Sequence, residues 1–121
     1  MNYTVNELFD YEKNSLLELL KNYSNEDIIN ELLDERDEDD FSDKWSESFE
    51  NVEELKVDES AESEALRESI FKKVIDKTGS SDLASYISDD FGLLYDALNV
   101  NYKNKFIEKI WDSYKNNLIP R

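Results

Sequence analysis

The side chains of this sequence that could do chemistry are almost all carboxylates. The 121 residues include 30 Asp and Glu against 14 Lys and Arg, with no His and no Cys, so the formal net charge is −16. Without His or Cys the chain cannot form a Cys/His zinc site, a haem ligand, a Ser-His-Asp triad or a Cys–His dyad. What remains is a carboxylate-based site, an acidic binding surface or an acidic disordered segment.

The densest run of carboxylates covers residues 37–40 and is followed by Asp43. An EF-hand calcium loop needs alternating acids, a glycine at its sixth position and a glutamate at its twelfth. Counted from the first acid of the run, these positions hold Ser42 and Ser48. Paired carboxylates could also support glycoside hydrolysis or two-metal phosphoryl transfer, but among 30 acids many pairs have any given spacing by chance. We therefore expect no enzyme activity, no catalytic residues, no metal site and no cofactor.

A second set of carboxylates recurs at helical spacing and comprises Asp43, Glu47, Glu50 and Glu54. Side chains three or four residues apart lie on one face of a helix, with Cβ atoms about 5–6 Å apart. Phosphates along one nucleic-acid strand are spaced on a comparable scale, so this face could imitate the charge of DNA. The opposite face of the same helix would carry Trp45, Phe49 and Val52.

Three aromatic residues, Phe41, Trp45 and Phe49, are interleaved with these acids, and two interpretations of them are open. They could simply belong to the hydrophobic core. Alternatively they could anchor an interface, because Trp and Tyr dominate the residues that contribute most to binding. A charged rim around an aromatic centre would fit this second role.

The excess of negative charge is confined to one third of the chain. Residues 24–64 carry 18 acids and three bases, a net charge of −15. Residues 1–23 have a net charge of −2, and residues 65–121 a net charge of +1. Solubility needs a net charge of only about 2–8 in magnitude, and concentrated like charge opposes folding. The segregation favours a docking surface for a positively charged cleft, although a solvated acidic face without a partner has the same composition.

The elements that must position these residues are predicted to be helices. Two Gly and one Pro supply few tight turns, and an aromatic content of 12% argues against a disordered acidic chain. Apolar spacing predicts helices over 5–22, from Ser24 onward, over 43–56, from Leu66 to Gly79, from Ser81 to Leu98 as one helix or two, and over 103–116. Thr4 is the predicted N-terminal cap of the first helix, and Ser81 that of the helix that follows Gly79.

The connections between these helices are predicted from charge and composition. Residues 34–40 are predicted as a loop or a frayed helix end, because packed like charges oppose a helix, and residues 57–64 as a linker. We expect an all-α fold, a compact bundle of five to seven short helices with an acidic central loop or helix. It should form a single domain over residues 1–121, with an acidic segment, residues 34–64, that could be partly mobile.

The charge also limits the partners that the chain can have. Affinity for phosphate comes from Lys and Arg, so we expect no direct binding to nucleic acid and none to an anionic membrane. The first residues show no apolar signal-peptide core, no run approaches the roughly 20 apolar residues of a membrane span, and Cys is absent. These features predict a cytoplasmic protein.

The stretch from Ile87 to Leu98 reads ISDDFGLLYDAL and is similar to a pattern of the colicin D immunity family. Members of that family are small, acidic, helical bacterial proteins that bind a tRNA-cleaving toxin and block its basic active site. The resemblance implies that Asp89, Asp90 and Asp96 could contact such a toxin. It covers this stretch alone, and the long acidic middle segment departs from the shorter chains of that family.

Charge and resemblance together predict a stoichiometric inhibitor of a nucleic-acid-processing enzyme, in which residues 34–59 fill a cleft lined with Lys and Arg. One version is an immunity protein for a nuclease toxin, and the other is a phage-encoded DNA mimic that blocks a CRISPR or restriction enzyme. A non-inhibitory acidic interaction domain is the competing class. The residues expected to bind the partner are Glu35, Asp37, Glu38, Asp39, Asp40, Asp43, Trp45, Glu47, Glu50, Glu54, Asp89 and Asp90.

Overall fold

The computed structural model describes residues 2–121, and within this range it contains seven α-helices and no strand. The helices are α1 (Val5–Asn14), α2 (Leu16–Leu20), α3 (Glu26–Arg36), α4 (Asp39–Leu55), α5 (Ala61–Thr78), α6 (Ser81–Asn99) and α7 (Lys105–Lys115). A 3-10 turn, Lys21–Tyr23, follows α2. The prediction of an all-α bundle is therefore confirmed. Within residues 2–121, no helix has both the length and the apolar character needed to cross a membrane.

Helix α6 lies at the centre of the fold. It contacts α1, α3, α4, α5 and α7, and almost all of its residues from Ile87 to Ala97 are buried. Phe91 packs against the ring of Tyr114 at a centroid distance of 4.8 Å and against Tyr11 at 5.6 Å. The neighbouring helices therefore share one aromatic core built around α6.

Gly92 does not divide α6 into two helices, although the sequence left that question open. Its missing side chain allows α5 to approach, because a Cβ at this position would lie 2.5 Å from Cδ of Arg67. The helix is continuous over 19 residues. Its N-terminal cap is Ser80 rather than the expected Ser81, since the Ser80 hydroxyl accepts a hydrogen bond from the backbone N–H of Leu83 at 3.1 Å.

The predicted helix over residues 5–22 is interrupted at Ser15, which separates α1 from α2. Ser15 has φ −122° and ψ −26°, outside helical values. Asn14 and Ser15 both have short polar side chains that compete with the helical backbone for hydrogen bonds, which explains a break at this point. The predicted start is correct, because the Thr4 hydroxyl accepts from the backbone N–H of Glu7 at 3.2 Å.

The acidic segment is more helical than its charge predicts. Helix α3 continues to Arg36 and α4 begins at Asp39, so only Asp37 and Glu38 lie between them. Acids in the first turn of a helix interact favourably with its dipole, and Asp39 and Asp40 lie there. The expected linker over 57–64 is also shorter, because α5 begins at Ala61.

The predicted end of α5 at Gly79 is confirmed. Gly79 has φ 71°, a left-handed conformation that glycine adopts without steric cost, and its N–H bonds to the carbonyl of Ile75 at 2.8 Å. This tight end allows α6 to turn back and pack along α5, which is the most extensive helix pair of the fold.

Candidate partner-binding surface

The outer face of α4 carries an acidic stripe, which we define as Asp43, Glu47, Glu50 and Glu54. All four side chains are exposed, whereas Ser48 and Val52 on the other side of the helix are buried. The stripe therefore presents a row of carboxylates to solvent along most of the helix. Lys44 lies at its margin and pairs only loosely with Asp40, at 3.7 Å.

A second acidic feature is the turn between α3 and α4, which we call the acidic corner and define as Glu35 and residues 37–40. Residues 37–40 are exposed, and Glu35 is half-buried. Two contacts fix the corner to the rest of the fold. The Tyr86 hydroxyl donates a hydrogen bond to Asp37, and Nε of Arg121 lies 3.2 Å from Oε2 of Glu35. We call the corner and the stripe together the acidic surface; they adjoin along the chain, because α4 begins at Asp39 within the corner.

Beneath this surface lies a buried polar cluster centred on Asp90. The Asp90 carboxylate is fully buried and accepts two hydrogen bonds from the Arg36 guanidinium, each at 2.7 Å. It also accepts from Nε1 of Trp45 at 2.9 Å and from the Tyr114 hydroxyl at 2.5 Å. Arg36 donates further to the backbone carbonyl of Pro120 at 3.3 Å. The cluster ties α3, α4, α6 and α7 together.

The electrostatics of the cluster follow from burial and pairing. Burial opposes the charge on Arg36, but the charge and hydrogen bonds of Asp90 outweigh burial and raise the Arg36 pKa above the usual arginine range. Burial and the Asp90 charge raise the pKa of Tyr114 well above its ordinary value, so its hydroxyl remains a donor. Arg36 also lies over the rings of Phe41 and Tyr86, at 4.7 and 4.9 Å from their centroids.

The expectation that Asp90 contacts a partner is corrected by this geometry. The Asp90 carboxylate has no exposed surface and accepts four hydrogen bonds from within the chain, so Asp90 holds the helices together and does not belong to the proposed contact surface. Asp96 is also buried and lies 3.2 Å from Nζ of Lys56, which contacts Glu53 and Glu59 as well. Asp96 therefore belongs to an internal ion-pair network.

Asp89, the neighbour of Asp90, lies in a different environment. Its side chain is exposed, and within residues 2–121 it has no ion pair and no hydrogen bond. Partial burial of its carboxyl, followed by the charge of Asp90, raises the pKa of Asp89 above its ordinary value. Asp89 is thus the accessible member of the Asp89-Asp90 pair.

The aromatic residues of α4 divide between the two interpretations that the sequence left open. Trp45 is half-buried, and its indole N–H donates to Asp90. Its ring stacks on that of Phe49 at a centroid distance of 5.5 Å and an interplanar angle of 17°. Phe49 is 42% exposed, so it does not belong to the core. Val52 alone of the predicted inner face is fully enclosed.

Sequence reasoning missed two features of this surface. Arg36 was not among the expected residues, although the one arginine in a run of acids is a signal that a buried carboxylate needs a partner. Leu55 and Val57, at the end of α4, are 51% and 93% exposed, and nothing in their spacing distinguishes them from core residues. In residues 2–121, no cluster of His, Cys, Asp or Glu has the arrangement of a metal site.

The comparison with protein families identifies the class of this chain. The sequence profile of the family described as immunity protein PIM1 matches residues 7–121. No curated protein sequence matches the chain. The resemblance of residues 87–98 is therefore confirmed at the level of an immunity protein, whereas the colicin D type is not confirmed. Because the match spans nearly the whole sequence, the chain belongs to the PIM1 family of immunity proteins.

Proposed function

We propose that this immunity protein inhibits a nuclease toxin by filling the basic cleft with which the toxin binds nucleic acid. Membership of an immunity family implies a protein partner, and the acidic surface suggests the chemistry of that partner. The single observation that carries the proposal is the net charge of −15 in residues 24–64, combined with the exposure of the stripe and the corner. In this proposal the chain acts by occlusion and not as an enzyme.

The rigidity of the acidic surface supports this mechanism. Binding is weakened when loops and side chains must become ordered at the interface. Here the acids lie on two helices and a short turn, and Arg36, Tyr86 and Arg121 fix that turn to the fold. The backbone that carries the carboxylates is therefore already helical, so that mainly their side chains need to become ordered on binding.

Other faces of α4 and the residues after it carry apolar side chains that could be desolvated in a complex. Phe49, Leu55 and Val57 are all substantially exposed, and they lie on α4 or immediately after it. Charged rims mainly accelerate association, whereas buried aromatic and aliphatic anchors slow dissociation. We infer that the acids steer the toxin and that these apolar residues prolong the complex.

The first experiment identifies the toxin and then tests the surface. A pull-down from lysate of the source organism, washed at low and then high salt, should retain one basic nuclease that elutes with salt, because electrostatic attraction is screened. The test variant, called the corner variant, replaces the exposed Glu38, Asp39, Asp40 and Asp43 by Lys and leaves the contacts of Glu35 and Asp37 with the rest of the fold in place. It should abolish inhibition of the captured nuclease while the far-UV circular dichroism spectrum stays that of the parent.

A matched control carries the same change in net charge outside the acidic surface. Asp10, Glu18, Glu68 and Asp76 are exposed and lie outside residues 34–59, so their replacement by Lys changes the total charge equally. This control should retain most of its inhibition. If the corner variant inhibits as well as the parent, the occlusion mechanism is wrong, and a non-inhibitory role of the acidic face becomes the better account.

A further inference from the structure

A groove runs between α4 and α6 on the side of the molecule that carries Asp89. It consists of two hollows of about 120 and about 310 Å³, and both are lined by Trp45 and Asp89. The smaller hollow also has Ser46 and Tyr86 in its wall, and the larger one has Phe49 and Arg67. These volumes suit a single inserted side chain.

The groove combines an accessible carboxylate with exposed aromatic surface. Asp89 has no ion pair within 4 Å among residues 2–121. The stacked rings of Trp45 and Phe49 form the adjacent wall, and Phe49 keeps 42% of its surface exposed. A cation in contact with both would be stabilised by the carboxylate and by the negative faces of the rings.

Asp90, the residue after Asp89, shows such a contact between a cation, a carboxylate and aromatic rings within the chain itself. Arg36 binds the carboxylate of Asp90 through two nitrogen atoms while its guanidinium lies over Phe41 and Tyr86. A planar guanidinium can pair with a carboxylate through two nitrogen atoms while it lies flat on aromatic rings, and a non-planar ammonium group lacks this combination. The groove offers the same pair of groups, a carboxylate and aromatic rings, to the outside.

The cations of the chain that face the groove are already engaged or held away from Asp89. Lys56 contacts Glu53, Glu59 and Asp96. Arg67 packs its aliphatic carbons against Gly92 and forms no ion pair, and its Nε makes no hydrogen bond. Burial and the charge of Asp90 raise the pKa of Asp89, and they outweigh the charges of Arg67 and Arg36, which lower it. Neither arginine forms an ion pair with Asp89.

We propose that this groove receives an arginine side chain of the toxin, with its guanidinium paired to Asp89 and packed against the Trp45–Phe49 stack. The inference rests on the proposed function, because it names one contact within the proposed interface. It assigns to Asp89 a role in holding the complex together, separate from the general attraction exerted by the acidic stripe.

One test of the groove does not require the toxin. The ¹⁵N-labelled protein is titrated with N-acetylarginine methylamide, and the indole N–H signal of Trp45 is followed by NMR. Saturable shifts should be confined to the groove and absent in Asp89→Asn. The citrulline analogue, which has the same shape without the charge, should cause no such shifts. An equal response to citrulline or to the lysine analogue, or an unchanged response of Asp89→Asn, would overturn the proposal.

The second test uses the captured toxin and separates the two proposals. Asp89→Asn and Phe49→Ala should each accelerate dissociation of the complex about tenfold, with little change in the association rate. The matched control is Glu47→Gln, which removes one carboxylate from the stripe and should mainly slow association.

The outcomes of the two sets of variants are independent. If Asp89→Asn dissociates no faster than Glu47→Gln while the Lys variant of the acidic corner has lost inhibition, the groove proposal is wrong and the proposed function stands. If the corner variant still inhibits, the proposed function fails, whatever the NMR titration with the arginine analogue shows.

Discussion

The two flanks of the central helix pair α5–α6 are attached in similar ways but differ in charge. On one flank, α1 contributes the buried Glu12, whose carboxylate lies 2.7 Å from Nζ of Lys73 and accepts a hydrogen bond from Ser69. On the other flank, the buried Asp90 of α6 binds Arg36 of α3. Each flank thus has one buried carboxylate with its partner, and the four acids of the stripe take no part in these attachments.

This comparison teaches that the acidic surface is separable from folding. The flank formed by α1 and α2 is attached without a concentration of exposed acids, since residues 1–23 have a net charge of only −2. The flank formed by α3 and α4 lies in the segment with a net charge of −15 and so has repulsion to overcome. The excess charge of this flank therefore opposes folding, and the proposed function gives it a role in binding the toxin.

The largest expected effect comes from breaking the attachment of the acidic flank. Arg36→Met leaves the Asp90 carboxylate buried without its cation, which should reduce the free energy of unfolding by about 3–5 kcal/mol. Urea denaturation measures this loss. Adding Asp90→Asn should recover part of it, because it removes the unpaired buried charge. The amide oxygen can accept from Trp45, and the amide NH2 can donate to the Tyr114 hydroxyl, which bonds to the other oxygen in the parent. A double variant no more stable than Arg36→Met would show that the buried charge is not the cause.

A smaller loss is expected on the other flank. Glu12→Gln removes the ion pair with Lys73 but keeps an oxygen that Ser69 can bond, so the free energy of unfolding should fall by about 1 kcal/mol. If this loss equals that of Arg36→Met, the two attachments are energetically equivalent and the comparison fails.

Glu12 should also contribute to acid sensitivity. Burial acts to raise the pKa of Glu12, but hydrogen bonds from Lys73 and Ser69 outweigh it and hold the pKa below its ordinary value. As the pH falls, Glu12 is protonated in the unfolded chain before it is protonated in the folded chain. The contribution of Glu12 to the free energy of unfolding is therefore complete above the ordinary glutamate pKa and is lost as the pH falls below it. Stability of Glu12→Gln should therefore fall less steeply than that of the parent across this acidic range.

Neutralising the stripe should raise stability rather than lower it. The variant Asp43→Asn, Glu47→Gln, Glu50→Gln and Glu54→Gln removes mutual repulsion without disturbing buried atoms. Its Tm should exceed that of the parent at about 50 mM NaCl and approach it at about 500 mM, where exposed charges are screened. A lower Tm at both salt concentrations would mean that the stripe has a structural role.

The smallest effect is expected at Asp89. Its pKa is raised, so the charged carboxylate is disfavoured in the folded state, and Asp89→Asn should raise the Tm by about 1–2 °C at neutral pH. This gain should vanish once the pH falls below the pKa of the unfolded aspartate, where both states carry the proton. A decrease in Tm at neutral pH would show that the Asp89 carboxylate makes a stabilising contact.

Much of the fold could be predicted because local signals and packing agree. The cap at Thr4, the left-handed end at Gly79 and the exposed spacing of the stripe all follow from short-range rules. The short turn between α3 and α4 could not be predicted from the density of acids around it. Its position depends on the ion pair between Arg36 and a carboxylate 54 residues later, which no local pattern shows.

Asp89 is exposed and Asp90 is buried, although the two residues are adjacent in the sequence. Their spacing from neighbouring apolar residues is enough to distinguish them. Asp90 lies at helical intervals from Leu83, Ile87 and Leu94, all of which are buried, so it shares their inward face. Asp89 is displaced from that face by one residue, about 100° around the helix. The geometry of the groove beside it depends on how α4 crosses α6, and no local pattern in the sequence specifies that crossing.

The bond between Arg36 and Asp90 also orders events during protein synthesis. The acidic flank leaves the ribosome before its anchor, because chains are made from the N-terminus and both Asp90 on α6 and the Tyr114 hydroxyl on α7 are synthesised later. We expect α3 and α4 to remain undocked until these later helices emerge. A nascent chain would then acquire its finished acidic surface in one late step, after α7 has emerged.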